Sequence, residues 1–368
     1  MRRARVVARV AVMLMLAASA VMAEHHPVDQ EHTSHDDQIG ATCLDFGDAC
    51  KIGFGTLGHD RNLERGRESS RDRSSDGLSP PGGSEFRDIV FSEGESFPRI
   101  EGDVIFRIGF NNVYEAEQPR AETLDEFVEM IASPEFRLTE DLSIRSEFRL
   151  ETTAPPEEDR RFQDEGLFVR SLYARYALTD RFAVHAGKFT PSYAIASLVT
   201  PGMYGNNYNK EIELIERVGF GAEYTFGSAA SGRHTLSAST FFEDTSILSE
   251  SLGSNRGRTT LDDGGASNTE SFESFTVSLE GTDLPHAPGF TYKLGFVYEA
   301  AGRGDEADEY GIAIAAMQSW QLGDESSFVV IGEVAPLWNF QGTADTIIYS
   351  SAGVALQAGR WTGVVSGT

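Results

Sequence analysis

Residues 290–299, FTYKLGFVYE, decide how this chain folds. Phe290, Tyr292, Leu294, Phe296 and Tyr298 stand at every second position, and Thr291, Lys293 and Glu299 fall between them. Side chains of an extended strand point alternately to its two faces, so the stretch reads as a strand with one apolar and one polar face. The rhythm returns in Val104, Phe106, Ile108 and Phe110 against Asp103 and Arg107. It recurs in Leu142, Ile144, Phe148 and Leu150 against Arg145, Glu147, Arg149 and Glu151, and in Val218, Phe220, Ala222, Tyr224 and Phe226 against Arg217 and Glu223.

Working outward, strands are expected near 102–114, 127–138, 142–152, 166–178, 181–190, 214–226, 233–244, 270–281, 289–301, 308–321, 326–338, 347–358 and 360–367. Most are long, whereas strands of soluble proteins average about five or six residues and strands that cross a bilayer need about 9 to 11. Segment 121–132 also carries a helical stripe, Leu124, Phe127, Val128 and Ile131, with Thr123 and Glu126 spaced as a capping box. A helix there would leave 133–138 too short to cross, so a strand is preferred, with Pro134 marking a bulge or a local loss of pairing.

The connections sort by length. Those at 139–141, 179–180, 227–232, 282–288, 323–324 and 359 are short, while 153–165, 191–213, 245–269, 302–307 and 339–346 are mostly longer and richer in glycine and charge. Short turns at one end and long loops at the other characterise an outer-membrane barrel. Aromatics near the strand ends, among them Tyr176, Phe182, Tyr310, Trp320, Trp338 and Tyr349, suit its interfacial girdles.

Composition narrows the class further. The 368 residues hold 31 Lys+Arg against 57 Asp+Glu, a net charge of -26, so no nucleic acid is expected as a partner. No apolar run beyond the N-terminus is long enough for a spanning helix. Arg2, Arg3, Arg5 and Arg9, the apolar stretch 10–20 and Val21-Met22-Ala23 together read as a signal peptide over 1–23. Residues 24–98 are acidic, turn-rich and poor in apolar side chains, which predicts a largely disordered tether. The tether holds His25, His26, His32 and His35, read as incidental, and Cys43 and Cys50, expected to close a small disulfide loop after export.

No cofactor is expected. Gly53-Phe54-Gly55-Thr56-Leu57-Gly58 matches a dinucleotide fingerprint but has no buried strand before it and a charged tract after it. The acidic loops Asp262-Asp263-Gly264-Gly265 and Asp305 to Glu309 are read as solvated rather than metal-binding, and cations bridging lipopolysaccharide to them would be reasonable. His185 and His234 lie on separate strands among many serines, which leaves a Ser-His hydrolase in the barrel wall as the alternative, but histidines near strand ends are more often structural and no enzymatic activity is assigned.

The stretch 167–191, LFVRSLYARYALTDRFAVHAGKFTP, with its tyrosine-rich strand, tight turn and Gly187-Lys188-Phe189-x-Pro191 ending, resembles proteobacterial outer-membrane porins related to the phosphate-selective O and P type. The resemblance spans about 100–368. It implies a water-filled barrel, usually a homotrimer, set in outer-membrane lipid and lipopolysaccharide. Its phosphate-selective members line the pore with lysines and arginines, whereas this chain has only four lysines, Lys51, Lys188, Lys210 and Lys293.

The expected architecture is therefore all-β, an antiparallel transmembrane β-barrel of about 12–14 strands over 99–368. If its apolar face meets lipid, Arg107, Arg137, Arg145, Glu147, Arg149, Arg217, Glu223 and Lys293 line a pore for small hydrophilic solutes or ions. The alternatives are that these charges merely pair across strands, and that the barrel is a closed anchor without significant transport. The phase of 166–178 is left open, because Arg170 and Arg175 fall on opposite faces of a regular strand. Thirteen expected strands is an odd number, and Val365-Ser366-Gly367-Thr368 lacks the terminal aromatic residue that the resemblance implies. The last strand is accordingly expected to be missing.

Overall fold

The computed structural model describes residues 97–112, 123–154, 159–201 and 212–368. The expected signal peptide, the expected tether up to residue 96 and Tyr114 lie outside the described residues.

Alternation along the sequence becomes seventeen strands among the described residues. They are β1 (Arg99–Glu101), β2 (Val104–Asn112), β3 (Leu124–Ala132), β4 (Glu135–Arg137), β5 (Leu142–Thr152), β6 (Arg160–Arg161), β7 (Glu165–Thr179), β8 (Phe182–Phe189) and β9 (Arg217–Ser228), followed by β10 (Gly232–Glu243), β11 (Ser251–Gly253), β12 (Ser274–Thr282), β13 (Phe290–Glu299), β14 (Glu309–Gly323), β15 (Ser326–Trp338), β16 (Thr346–Ala358) and β17 (Trp361–Gly367). Two short breaks divide β1 from β2 and β3 from β4, and β6 and β11 are small pieces carried by loops. Thirteen long strands remain in the expected order, each antiparallel to the next.

The segment with two sequence patterns is extended. Leu124–Ala132 pairs with β2, placing Val128 beside Ile108 and Met130 beside Phe106, so its apolar side chains extend the apolar face of its neighbour. Pro134 breaks the strand as expected, since it has no N–H to donate. The chain kinks there against Gly102, whose φ is 148° and where a Cβ would fall 2.4 Å from the Ser133 carbonyl oxygen. The Ser146 hydroxyl and its N–H both donate to the Pro134 carbonyl and close the gap.

Arg170 resolves the open phase. A bulge between Glu147 and Phe148 leaves Arg170 unpaired on β7, with Ser171 opposite Glu147 and Val169 opposite Phe148. One extra residue shifts the alternation. Arg170 and Arg175 consequently share a face, where Arg170 meets Glu147 and Arg175 meets Glu223.

The sheet curls strongly. The segment leaving β8 meets β12 where the Ser278 hydroxyl donates to Ser192, meets β15 at Glu333, and puts Pro201 against Gly353 of β16. One concave inner face and one convex outer face result. Among the described residues no pairing joins β2 to β17, so the sheet is open between its first and last long strands.

The outer face is apolar and exposed, as in Ile108, Ile144, Phe220, Leu294, Ile314 and Ile348. Stacked aromatics mark both its ends on β14 and β15: Tyr310 on Trp338 beside the long connections, and Trp320 on Phe328 beside the short turn. Tyr349 departs from the girdle, since its register partner is the buried, inward Ala335.

Candidate pore lining

The early strands carry an ionic inner face. Cross-strand neighbours two residues apart on one face are within reach of long side chains, which is how arginines and glutamates join into a ladder here. Arg107 donates to Glu129 at 2.8 Å. Arg137 lies 3.7 Å from Glu101 and 3.6 Å from Glu135, and Arg145 reaches the same Glu135 at 3.3 Å. Arg149 binds Glu147 at 2.6 Å with Glu151 at 3.7 Å. Farther round, Arg217 meets Glu299 at 3.2 Å and Glu243 at 3.9 Å, Arg175 meets Glu223 at 3.7 Å, and Lys293 meets Glu280 at 3.8 Å.

All eight residues expected to line a pore thus lie on the face opposite the exposed apolar row. Each also has an ionic partner. Cross-strand pairing, the alternative reading of these charges, is thus met at every one of them.

The late strands differ. Val297, Ala313, Ala315, Met317, Val329, Ile331, Ala335, Leu337 and Ala355 point inward and are buried. Two stretches that flank the long connection after β8, residues 190–201 and 212–216, pack against most of them, Val199 lying on Met317, Val329 and Ile331. Tyr193, Ile212 and Leu214 from these stretches form one cluster with Phe241, Val297, Ala313, Ala335 and Leu337. Tyr193 is seated between two glycines: a Cβ at Gly295 would fall 2.3 Å from its carbonyl oxygen, and one at Gly311 would fall 2.6 Å from its hydroxyl.

A carboxylate fixes the segment's direction. Glu333 of β15 accepts the Ile195 N–H at 2.7 Å and the Ala196 N–H at 3.1 Å, taking up donors that the helical turn Ala196–Val199 leaves free. Burial, with Glu333 nearby, pushes the Tyr193 phenol well above its ordinary pKa. Opposite, Glu213 of the second stretch binds Arg170 of β7 at 3.0 Å. Residues 195–196 are thus tied to the late wall and Glu213 to the early one.

Lys188 sits at the end of β8, its side chain almost wholly buried. Its ammonium lies 2.7 Å from Glu216, 2.7 Å from Asp244 and 2.7 Å from the Leu248 carbonyl. Arg256 binds both oxygens of Glu216, at 2.8 and 2.6 Å, and its guanidinium covers the Phe168 ring at 3.9 Å. The four charges cancel within the cluster. They hold the loop after β10 so that β11 pairs with β7 at Ser251 and Phe168, taking the place along β7 that β8 vacates when it turns inward. A second loop anchor is Arg160, whose bidentate bonds to Asp125 raise its pKa.

The remaining candidates do not converge. His185 faces inward beside Phe189, while His234 faces outward, stacked on Phe226 and bonded to the Tyr292 hydroxyl at 3.0 Å. The acidic loops serve turns: Asp263 accepts from Thr260, Asp305 from Gly265 and Gly302, and Asp262 pairs with Arg303. Among the described residues no three His, Cys, Asp or Glu side chains are grouped to hold a metal ion.

A curled, antiparallel sheet with an apolar outer belt and an ionic inner face is the architecture of an outer-membrane barrel. Among solved structures, this chain is similar to the outer membrane channel DcaP of Acinetobacter baumannii, with 12% identity, 76% of each chain covered and a TM-score of 0.39. It is also similar to OccAB2 of Acinetobacter baumannii, with 11% identity, 72% of this chain and 63% of that chain covered, and a TM-score of 0.36. No family model and no curated protein matches it.

Proposed function

We propose that this protein is a porin of a Gram-negative outer membrane, a water-filled channel through which small hydrophilic solutes or ions diffuse passively. The reading rests on one observation: the same strands expose an apolar row outward and carry a partly accessible ionic row inward. Arg or Lys on a lipid face would cost about 2–4 kcal/mol each at mid-bilayer, and this row carries Ile108, Ile144, Phe220, Leu294 and Ile314 instead. Arg107, Arg137, Arg145, Glu147, Arg149, Arg217, Glu223 and Lys293 line the channel in this reading, and outer-membrane lipid and lipopolysaccharide surround it. It assembles as a homotrimer, after the porins it resembles.

Kinship with the phosphate-selective porins is proposed for the wall and not for its selectivity. Each lining arginine already has a carboxylate partner, so an anion would meet compensated charge. A closed anchoring barrel is the second reading, favoured by the segment that fills the concavity against the late strands. Planar-bilayer recording separates the two: stepwise ohmic currents on addition of the refolded protein are expected for a channel, and their absence from correctly folded protein would leave the anchor.

A further inference from the structure

Two carboxylates face each other on the inner side of the late wall. Glu299 ends β13, Glu309 begins β14, and the two are register partners, which sets their Cβ atoms about 4.5–5.5 Å apart. Each is only 4% exposed. They stand one residue outside Tyr298 and Tyr310, which are also register partners. The pair therefore lies at the mouth, past the aromatic row that ends the apolar belt.

The surroundings are short of positive charge. Arg217 of β9 is 3.2 Å from Glu299 and 3.9 Å from Glu243 of β10, and it also donates to the Ile215 carbonyl. Asp305, in the loop before β14, is a further acid facing Glu309, and its oxygens accept the N–H groups of Gly265 and Gly302. From the connection after β15, the Gln341 N–H donates to Glu309 at 2.6 Å. Glu309 has no ion pair among the described residues, so one guanidinium serves three glutamates. Like charges directly opposite on a sheet are destabilising, and two carboxylates sharing a poorly hydrated site retain a proton between them.

Tyr193 marks the same place independently. Its hydroxyl is buried without a hydrogen-bond partner and sits against Gly311, the next inward position of β14 after Glu309. Its ring belongs to the apolar cluster that includes Val297, the inward neighbour of Glu299 on β13. Glu299, Glu309 and Glu333 are the carboxylates acting on its phenol. With one proton on the pair, the charge beside this cluster is single. With none, two full charges adjoin it and draw in water, which Tyr193 and Phe340, packed on the same cluster, keep out.

We propose that Glu299 and Glu309 form a proton-binding site that seats the stretch 190–201: the pair with its proton keeps Tyr193 in place, and loss of the proton loosens it. The inference does not depend on transport. A proton bound by the folded pair and not by the unfolded chain stabilises the seat in acid. That contribution declines as pH rises above about 4.3, the ordinary glutamate value, and is gone once the pair has lost its proton.

The test is hydrogen exchange at the Ile195 and Ala196 amides of the full chain folded in detergent, corrected for the intrinsic effect of pH on exchange. Protection is expected to fall by up to about tenfold per pH unit above the ordinary glutamate value until the pair is empty. Protonation of Glu333, the acceptor of both N–H groups, would loosen them in acid, the opposite direction. Glu309→Gln keeps an acceptor for Gln341 but cannot ionise, and its protection should stay at the acid level throughout. Should that variant misfold, Glu299→Gln removes the opposing charge and should shrink the fall. Wild-type protection that does not decline with rising pH, or a fall that persists undiminished in a folded variant, would overturn the inference.

Discussion

The inner face of the early strands and that of the late strands obey the same period of two, yet they contain opposite chemistry. From β2 to β7 the inward positions hold arginine and glutamate, and the outward positions hold isoleucine, phenylalanine and leucine. From β13 to β16 most inward positions are alanine, valine, leucine, isoleucine or methionine, with Lys293, Glu299, Glu309 and Glu333 among them. What differs is the neighbour. Charges of the early wall keep partial exposure, as at Arg107 and Arg137, whereas the late wall packs against Tyr193, Val199, Ile212 and Leu214, where burial of each large apolar side chain contributes about 1.5–3 kcal/mol. An inner face in a barrel thus reports what lies against it, water or protein.

The largest effect should come from breaking the buried cluster that patches the wall. Lys188→Met leaves Asp244 buried without its cation, and removing one partner of a buried ion pair costs about 3–5 kcal/mol. The loop 244–268 should then be cleaved by protease much faster than in wild type, with a lowered melting temperature. Unchanged protease resistance would show that β11 holds its place on β7 without the cluster.

Detaching the segment from the late wall comes next. Gly295→Ala drives a methyl group into the Tyr193 backbone, which no side-chain rotation relieves. Tyr193→Ala should act in the same direction by emptying the slot, at a loss of order 3 kcal/mol of packing. Either change is expected to raise single-channel conductance while heat-modifiable migration in detergent gels persists. A conductance equal to wild type would mean that the segment does not narrow the path.

A smaller effect concerns pH. The Ala301 N–H and the Tyr298 hydroxyl both donate to Asp308 and hold its carboxyl below the usual aspartate range. A depressed pKa stabilises the loop 300–308 at and above the ordinary aspartate value of about 3.9, and the contribution disappears as pH falls through the lower folded value. Amide resonances of this loop should shift together only in strong acid, and Asp308→Asn should remove the transition.

Much of the wall was legible because alternation is a local property. Each of the thirteen expected strands has its counterpart, since lipid on one side and a polar interior on the other impose a period of two on nearly every strand. Starts were misplaced at 214–226, where Leu214 and Ile215 continue the apolar run into the loop before Arg217, and at 270–281, where Phe272 keeps the alternation ahead of Ser274. The phase of β7 could not be read, because a bulge is an event between two strands and leaves no mark in one of them. The inward segment did leave a mark: Tyr193, Ala194, Ile195, Ala196, Leu198 and Val199 are too apolar for a solvated loop, and β14 and β15 are apolar at both odd and even positions. Lys188 stood out only within a motif, since its three partners arrive from distant parts of the chain.

The contrast between the walls is tested most directly by thiol accessibility. In a background with Cys43 and Cys50 changed to Ser, single cysteines replace Ile144, Arg145 and Ala313 in turn, and a charged thiol reagent is added to the bilayer-embedded protein. The expected order is rapid reaction at position 145 with a drop in current, and little or none at position 144 in the lipid-facing row. Position 313 should react only when Gly295→Ala is also present. Rapid reaction at position 144 with none at 145, or equal reaction at 145 and 313 without the second change, would contradict the account.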